Sequence, residues 1–305
     1  MMENTALKEK SLLVLSVWGA LIFAVVAIVW GIAIQSQMLL FDGVYSFLSV
    51  GLSAMSLLAA KFVSQDDERK FPFGKAGVEP LVLTLKYTAI AAMCIYAIAA
   101  ALTDLFAGGR DVSAGPATVY ALLATIGCWW MYRHLHRKNQ GDSSNFVRAE
   151  ANQWLMDTYL SLAVLIGFSA AVVMSYTALA SWTVYVDPVM VLIAAGYFLK
   201  VPIEGIRESM REVLSMAPQD GVQERVEALV EQEGERNGFE ATVVRTSRVG
   251  RRLYVEVDYI VGEYAEVQDI RGADVVRSTL YASLKEESTD LWLTVSFTHD
   301  AFWAE

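Results

Sequence analysis

Four polar side chains stand out in two stretches of the sequence that are otherwise strongly apolar. Asp42 and Ser46 lie four residues apart in the segment FDGVYSF, and Gln153 and Asp157 have the same spacing in QWLMD. Residues four apart lie on one face of an α-helix, so each pair would present two oxygen-bearing side chains together. Two such helices can close around one ion, offering two carboxylates, a hydroxyl and an amide. This set of oxygen donors matches a divalent cation.

The same four residues also permit a purely structural interpretation. Asp42 could cap a helix end while Ser46 hydrogen-bonds to its own backbone. Gln153 and Asp157 could instead form hydrogen bonds between neighbouring helices. The spacing leaves both interpretations open, although an ionisable group inside a membrane span is costly enough to require an explanation.

The composition divides the chain into two parts. The sequence has 305 residues, of which 55% are hydrophobic and 19% charged. Residues 1–208 contain 14 Lys/Arg and 15 Asp/Glu, whereas residues 209–305 contain 10 Lys/Arg and 19 Asp/Glu. We therefore expect a transmembrane domain over 1–208 and an acidic C-terminal domain over 209–305. The acidity argues against nucleic acid as a partner. The sequence contains no Gly-rich phosphate loop and no HExxH-like motif, which argues against an enzyme.

Six segments are long and apolar enough to cross the hydrocarbon core, which requires about 20 residues. They are 12–34, 38–63, 78–106, 115–135, 148–176 and 181–203. The N-terminal segment and the connectors on its side carry 13 Lys and Arg residues, and the opposite connectors carry only Arg110. The positive-inside rule then predicts that both termini are cytoplasmic. No removable signal peptide or targeting segment is recognised, so we expect a bacterial inner membrane.

The C-terminal part has the pattern of a small α/β domain. Amphipathic helices are predicted at 221–239 and 266–286, and a final strand at 290–298. Between them, residues 241–262 predict two strands joined by a glycine-containing turn at 249–252. The order helix, strand, strand, helix, strand indicates an open-faced sandwich, with helices on one side of a mixed sheet.

Two further polar positions lie in the apolar part. Lys86 follows Glu79 by seven residues in the third span. Its stem could extend to the membrane interface, or its ammonium could pair with a site carboxylate. Asp187 precedes Pro188 in the form of a helix cap followed by proline at the first helical position, so we expect a structural role there.

Together, these features resemble the cation diffusion facilitator family of secondary metal transporters. The resemblance rests on six spans with both ends inside and on polar pairs in the second and fifth spans. It also includes the stretch PFGKAGVEPL at 72–81 and the tripeptide VDP at 186–188. It implies a membrane α-helical fold with a C-terminal ferredoxin-like cytoplasmic domain, which mediates homodimerisation.

The resemblance places the transport site at Asp42, Ser46, Gln153 and Asp157. The commonest zinc-type pattern of the family has Asp at the position of Ser46 and His at that of Gln153. Without the imidazole, the oxygen donors favour harder cations such as Mn²⁺, Fe²⁺ or Mg²⁺, while Co²⁺ and Zn²⁺ stay open. Proton coupling, which the resemblance also implies, would use a carboxylate, and we expect Asp157 to carry the proton.

The C-terminal domain departs from the family pattern as well. It has Ser215 and Ser296 where relatives often have metal ligands, which leaves His299 and Asp300 as a candidate pair. We expect a homodimeric exporter that moves a divalent metal cation out of the cytoplasm by proton antiport, in contact with membrane lipid and without a cofactor. The alternatives are a non-transporting membrane scaffold or sensor, and a transporter of a monovalent or organic cation.

Overall fold

A computed structural model of the chain shows six long helices followed by a small α/β domain. It describes residues 2–63, 65, 69–139, 145–219, 221–250, 252–263, 265, 267, 269–288 and 290–304. The α-helices are α1 (Met2–Ile34), α2 (Gln37–Val63), α3 (Val78–Phe106), α4 (Ala114–Asn139), α5 (Asn145–Ser175), α6 (Val186–Val213), α7 (Val222–Arg236) and α8 (Ile270–Leu284). The strands are β1 (Ala241–Val249), β2 (Arg252–Ile260) and β3 (Asp290–Thr298), and short 3₁₀ helices cover Ala180–Tyr185 and Ala301–Ala304.

Five helical stretches in the described part of the chain are long and apolar enough to cross a membrane. They are Ser11–Ile34, Gln37–Val63, Val78–Phe106, Glu150–Ser175 and Ala180–Val213. Helix α4 is 26 residues long but is not among them. Its apolar stretch is diluted by Gly115, Pro116, Trp129 and Trp130, and its last turn is basic. The six expected helices are therefore present, and five of them meet the length and hydropathy requirement that we expected all six to meet.

The chain divides into two compact units. The first comprises Met1–Met55 and Tyr87–Ile203, and the second comprises Ser56–Lys86 and Glu204–Glu305. The core of the first unit is rich in alanine. Its buried alanines include Ala27, Ala97, Ala101, Ala117, Ala121, Ala124, Ala194 and Ala195. Small side chains let helix backbones approach closely, which is the main source of helix packing where lipid replaces water.

The first turn of α2 is held by a carboxylate from another helix. Ser36 Oγ donates a 2.6 Å hydrogen bond to Asp187, and the backbone N–H groups of Gln37 and Met38 donate at 2.8 and 3.2 Å. Asp187 is only 1% exposed. The sequence predicts that it caps its own helix, but α6 already begins at Val186. Asp187 instead satisfies the free N–H groups at the start of α2.

Helix α1 packs very closely against α2 at Gly43. A Cβ atom at this position would lie 2.8 Å from the Cβ of Ala27 and 2.9 Å from the backbone nitrogen of Ile28. Backbone atoms cannot move aside as a flexible side chain can. The close contact therefore requires glycine immediately after Asp42, and it fixes the position of that segment of α2.

We expect Gly43→Ala to destabilise the protein by about 1–3 kcal/mol, because overpacking forces the two helices apart. The unfolding midpoint and the cation flux of the reconstituted protein should both fall. Gly51→Ala is the matched control on the same helix, since a Cβ there meets nothing within 4 Å. Equal behaviour of the two variants would show that the close approach at Gly43 is unimportant.

The second unit contains a three-stranded sheet in the order β1-β2-β3. Strands β1 and β2 are antiparallel, and β2 and β3 are parallel across the α8 connection. The central strand buries one face, with Leu253, Val255, Val257 and Tyr259 packed against α7 and α8. The Tyr259 hydroxyl donates to the Val230 carbonyl at 3.1 Å, and burial raises the pKa of this hydroxyl, so it stays a neutral donor. The predicted ferredoxin-like arrangement of helices on one side of a mixed sheet is confirmed.

The PFGKAGVEPL stretch closes the connection between α2 and α3. The ammonium of Lys75, whose residue is 8% exposed, donates to the Gln65 carbonyl at 2.7 Å. It also lies 4.5 Å from the centre of the Phe62 ring and 5.1 Å from that of Phe71. These contacts satisfy a buried charge with a carbonyl and two aromatic faces. They give the lysine of this motif a structural role.

Candidate cation site

Asp42 lies in the second turn of α2, inside the first unit, and is half-buried. It is not at a helix end, which disfavours the capping interpretation. The residues on either side of it are packed. Gly43 contacts α1, and Phe41 and Tyr45 pack against Phe198 of α6 with ring centres 6.3 and 4.7 Å apart. Contacts to two helices therefore hold the carboxylate in place.

Asp157 lies on α5, on a face that carries other polar or aromatic side chains. Glu150, Trp154, Asp157 and Ser161 follow one another at intervals of four, three and four residues, which places them along one helical stripe. Trp154 is 6% exposed and Ser161 is 4% exposed. Asp157 lies between these two residues in the sequence and is half-buried. The stripe faces the interior of the first unit.

The structure brings Asp42 and Asp157 near one another. Their carboxylates lie close enough for the two negative charges to repel. The charge of Asp42 also acts on Tyr120 of α4, and the charges of both aspartates act on Cys128 of that helix. Side chains of α2, α4 and α5 therefore surround a common region of the first unit.

The other two residues of the expected set are placed differently. Ser46 is half-buried on α2, and Gln153 is exposed on α5. Neither lines the small recess beside Asp42, whose polar lining consists of Asp42, Tyr120 and Ser161. The four-residue ligand set stays a prediction; the charge of Asp157 acts on Asp42, and the amide of Gln153 is exposed.

A second polar cluster lies next to Asp157 and is formed by Ser16 of α1 with Glu150 and Trp154 of α5. The Ser16 hydroxyl donates to Glu150 at 2.5 Å, and the indole N–H of Trp154 donates to Ser16 at 2.8 Å. Ser16 is 1% exposed, and the charge of Glu150 acts on Asp157. Ser16, Glu150, Tyr120 and Ser161 were not predicted from the sequence. For Ser161, the four-residue spacing from Asp157 was an available signal.

The described residues contain no group of three or more His, Cys, Asp or Glu side chains that could hold a metal ion. The nitrogen- and sulfur-rich arrangement that suits zinc is thus not found among them. Lys86 is half-buried and makes no ion pair in the described part of the chain.

The candidate pair in the C-terminal domain is occupied by backbone contacts. A ring nitrogen of His299 lies 2.6 Å from the Val261 carbonyl oxygen, and Asp300 Oδ1 accepts from the Phe302 N–H at 3.0 Å. Both side chains thus have structural partners. We propose no metal site at this position.

Apolar helices of membrane length followed by a small mixed α/β domain define this chain as an integral membrane protein. Residues 13–214 match the cation efflux transmembrane domain, which covers about two thirds of the chain. The chain belongs to the cation efflux family, and it is a cation transporter. The resemblance to cation diffusion facilitators is thereby confirmed. No curated protein matches the chain.

Proposed function

We propose that this transporter exports a divalent cation from the cytoplasm in exchange for protons, using Asp42 and Asp157 as the two charged ligands. One observation supports the proposal: Asp42 on α2 and Asp157 on α5 are both half-buried in the first unit, near enough for the charge of one to act on the other. Two like charges are costly in a region of low dielectric unless they are neutralised. A divalent cation neutralises both at once.

The same electrostatic argument supports proton exchange. When the cation leaves, the two carboxylates repel, and protons that bind in its place remove the repulsion. We propose that Asp157, which lies on the same helical stripe of α5 as Glu150, carries the proton. Cation release and proton uptake then become alternative ways to neutralise one site. This alternation is what an antiporter requires.

Ser46 and Gln153 supply further oxygen ligands in this proposal. Each lies four residues from an aspartate, on α2 and α5 respectively. A rocking movement of these helices around the two carboxylates would bring the exposed Gln153 to the cation in another state of the transport cycle. A site made of oxygen ligands favours Mn²⁺, Fe²⁺ or Mg²⁺ over Zn²⁺.

Charge asymmetry supports the proposed orientation, with both termini in the cytoplasm. The basic side includes Lys61, Arg133, Lys138 and Arg211, whereas Arg110 is the single basic residue of the opposite connectors. The C-terminal domain would then lie in the cytoplasm, where we propose that it joins two copies of the chain.

Simultaneous cation and proton fluxes test this proposal. In proteoliposomes that carry a pH gradient, Mn²⁺ should move in the direction opposite to the protons, as reported by a metal-sensitive and a pH-sensitive dye. When Mn²⁺, Zn²⁺ and Na⁺ compete for transport in the same assay, Mn²⁺ should be transported in preference to the other two. Cation movement that leaves the internal pH unchanged would exclude antiport.

A second candidate is transport of a monovalent cation. It is favoured by the small number of charged ligands, because the described residues contain no cluster of three His, Cys, Asp or Glu side chains. The competition experiment separates the two candidates. Inhibition of Mn²⁺ flux by millimolar Na⁺, together with measurable Na⁺ flux, would favour the monovalent ion.

A further inference from the structure

We propose that the hydroxyl groups of Tyr120 and Ser161 bind the transported cation together with Asp42, so that α4 contributes to the site. This inference rests on the proposed function and extends its ligand set to residues outside the two spaced pairs. It assigns a role to the recess lined by Asp42, Tyr120 and Ser161.

The Tyr120 hydroxyl is the first observation. Tyr120 is 6% exposed, and its hydroxyl oxygen is buried and has no hydrogen-bond partner within the described part of the chain. A buried hydroxyl without a partner is destabilising, since it has lost its water without gaining another polar contact. Such groups are rare in native structures and call for an explanation. A ligand that is bound during part of the transport cycle provides one.

The position of this hydroxyl is the second observation. Tyr120 lines the recess beside Asp42, and the charge of Asp42 acts on it. Ser161 lies on the same recess, is 4% exposed, and follows Asp157 by one helical turn. Three helices thus each contribute an oxygen-bearing residue to the lining of one recess: Asp42 from α2, Tyr120 from α4 and Ser161 from α5.

The chemistry of the recess fits a dehydrated hard cation. Neutral hydroxyl oxygens replace water molecules in the coordination shell without adding negative charge, while the nearby aspartates supply the charge. The recess is enclosed by apolar side chains, among them Met38, Leu39 and Val164. Tyr120 and Ser161 would hold the cation while it is shielded from both sides, and Ser46 and Gln153 would contact it in more open states.

A purely structural role predicts something different. Tyrosine and serine hydroxyls in membrane proteins commonly form hydrogen bonds between helices. In that case Tyr120→Phe would remove a stabilising bond and lower the stability of the cation-free protein. Because the hydroxyl has no partner here, we expect the cation-free stability of Tyr120→Phe to be unchanged or higher.

The test combines cation binding and transport in the full-length protein. Purified protein in detergent is titrated with Mn²⁺ while its unfolding midpoint is followed, and Mn²⁺ flux into proteoliposomes gives KM and the maximal rate. The variants are Tyr120→Phe and Ser161→Ala. Tyr132→Phe on α4 and Ser169→Ala on α5 are the matched controls, since neither control residue lines the recess.

We expect Tyr120→Phe to raise the KM for Mn²⁺ about tenfold, equivalent to one lost contact to a charged ligand. The stabilisation by Mn²⁺ should shrink to the same degree, and Ser161→Ala should have a smaller effect in the same direction. The two control variants should match the native protein. If Tyr120→Phe fails to fold, Ser161→Ala against Ser169→Ala provides the same comparison.

Native Mn²⁺ affinity in both Tyr120→Phe and Ser161→Ala would overturn this inference. The proposed function would still hold in that case, provided that Asp42→Asn eliminates Mn²⁺ binding. Failure of the proposed function has a different signature: the native protein itself would show no stabilisation and no flux with Mn²⁺ or Zn²⁺.

Discussion

Asp42→Asn and Asp157→Asn should each reduce cation transport by about a hundredfold or more, because each removes one of two charges that hold a partly dehydrated cation. The effect should be large for either variant alone, since a single carboxylate cannot neutralise a divalent ion. Initial rates of Mn²⁺ uptake into proteoliposomes measure it directly. Asn is nearly isosteric with Asp, so the packing around Gly43 and Trp154 should be retained.

The matched control for this pair is Asp111→Asn. Asp111 is exposed and lies outside the long helices. The Asp111→Asn variant should transport Mn²⁺ at the native rate. All three variants should elute from size-exclusion chromatography at the same volume as the native protein. Normal transport by either Asp42→Asn or Asp157→Asn would remove that residue from the site.

Asp187→Ala should cause the largest loss of stability in the membrane helices. The substitution leaves the Ser36 hydroxyl and the N–H groups of Gln37 and Met38 without their buried acceptor. Unsatisfied buried donors cost about 3 kcal/mol or more in total, which lowers the unfolding midpoint by about 10 °C. Thermal unfolding of the detergent-solubilised protein measures this shift.

Asp187→Asn should lie between the native protein and Asp187→Ala, because its amide oxygen can still accept hydrogen bonds while its NH₂ group cannot. Since Asp187 anchors the first turn of α2, only a few residues before Asp42, both variants should also lower transport. An unfolding midpoint of Asp187→Ala equal to the native value would show that the contacts to α2 contribute little to stability.

The elements of the fold followed closely from the sequence. The predicted strands within 241–262 and at 290–298 agree with β1, β2 and β3, because alternating apolar residues and a glycine turn specify such strands locally. The six long helices were likewise expected from apolar runs of sufficient length. Helix α4 was the exception. It is long enough to span a membrane, but its tryptophans and its basic last turn lower its hydropathy.

The candidate site could be predicted only from pairs of polar residues spaced along one helix. Spacing in the sequence singles out Asp42 and Asp157, but it carries no information on which other helix lies beside them. Tyr120 belongs to α4 and has no spaced polar partner, so only the packing of α4 against α2 and α5 reveals it. Asp187 is a similar case, since its contact with Ser36 spans 151 positions of the chain.

Crystals of the protein soaked in Mn²⁺ and measured at the manganese absorption edge would show whether Asp42 and Asp157 bind one cation together. We expect an anomalous peak in the first unit, with one carboxylate oxygen of Asp42 and one of Asp157 both within about 2–2.6 Å of the Mn²⁺ ion, as oxygen ligands of hard divalent cations require. A Mn²⁺ peak that contacts only one of these two residues, or that lies outside this region, would contradict this expectation.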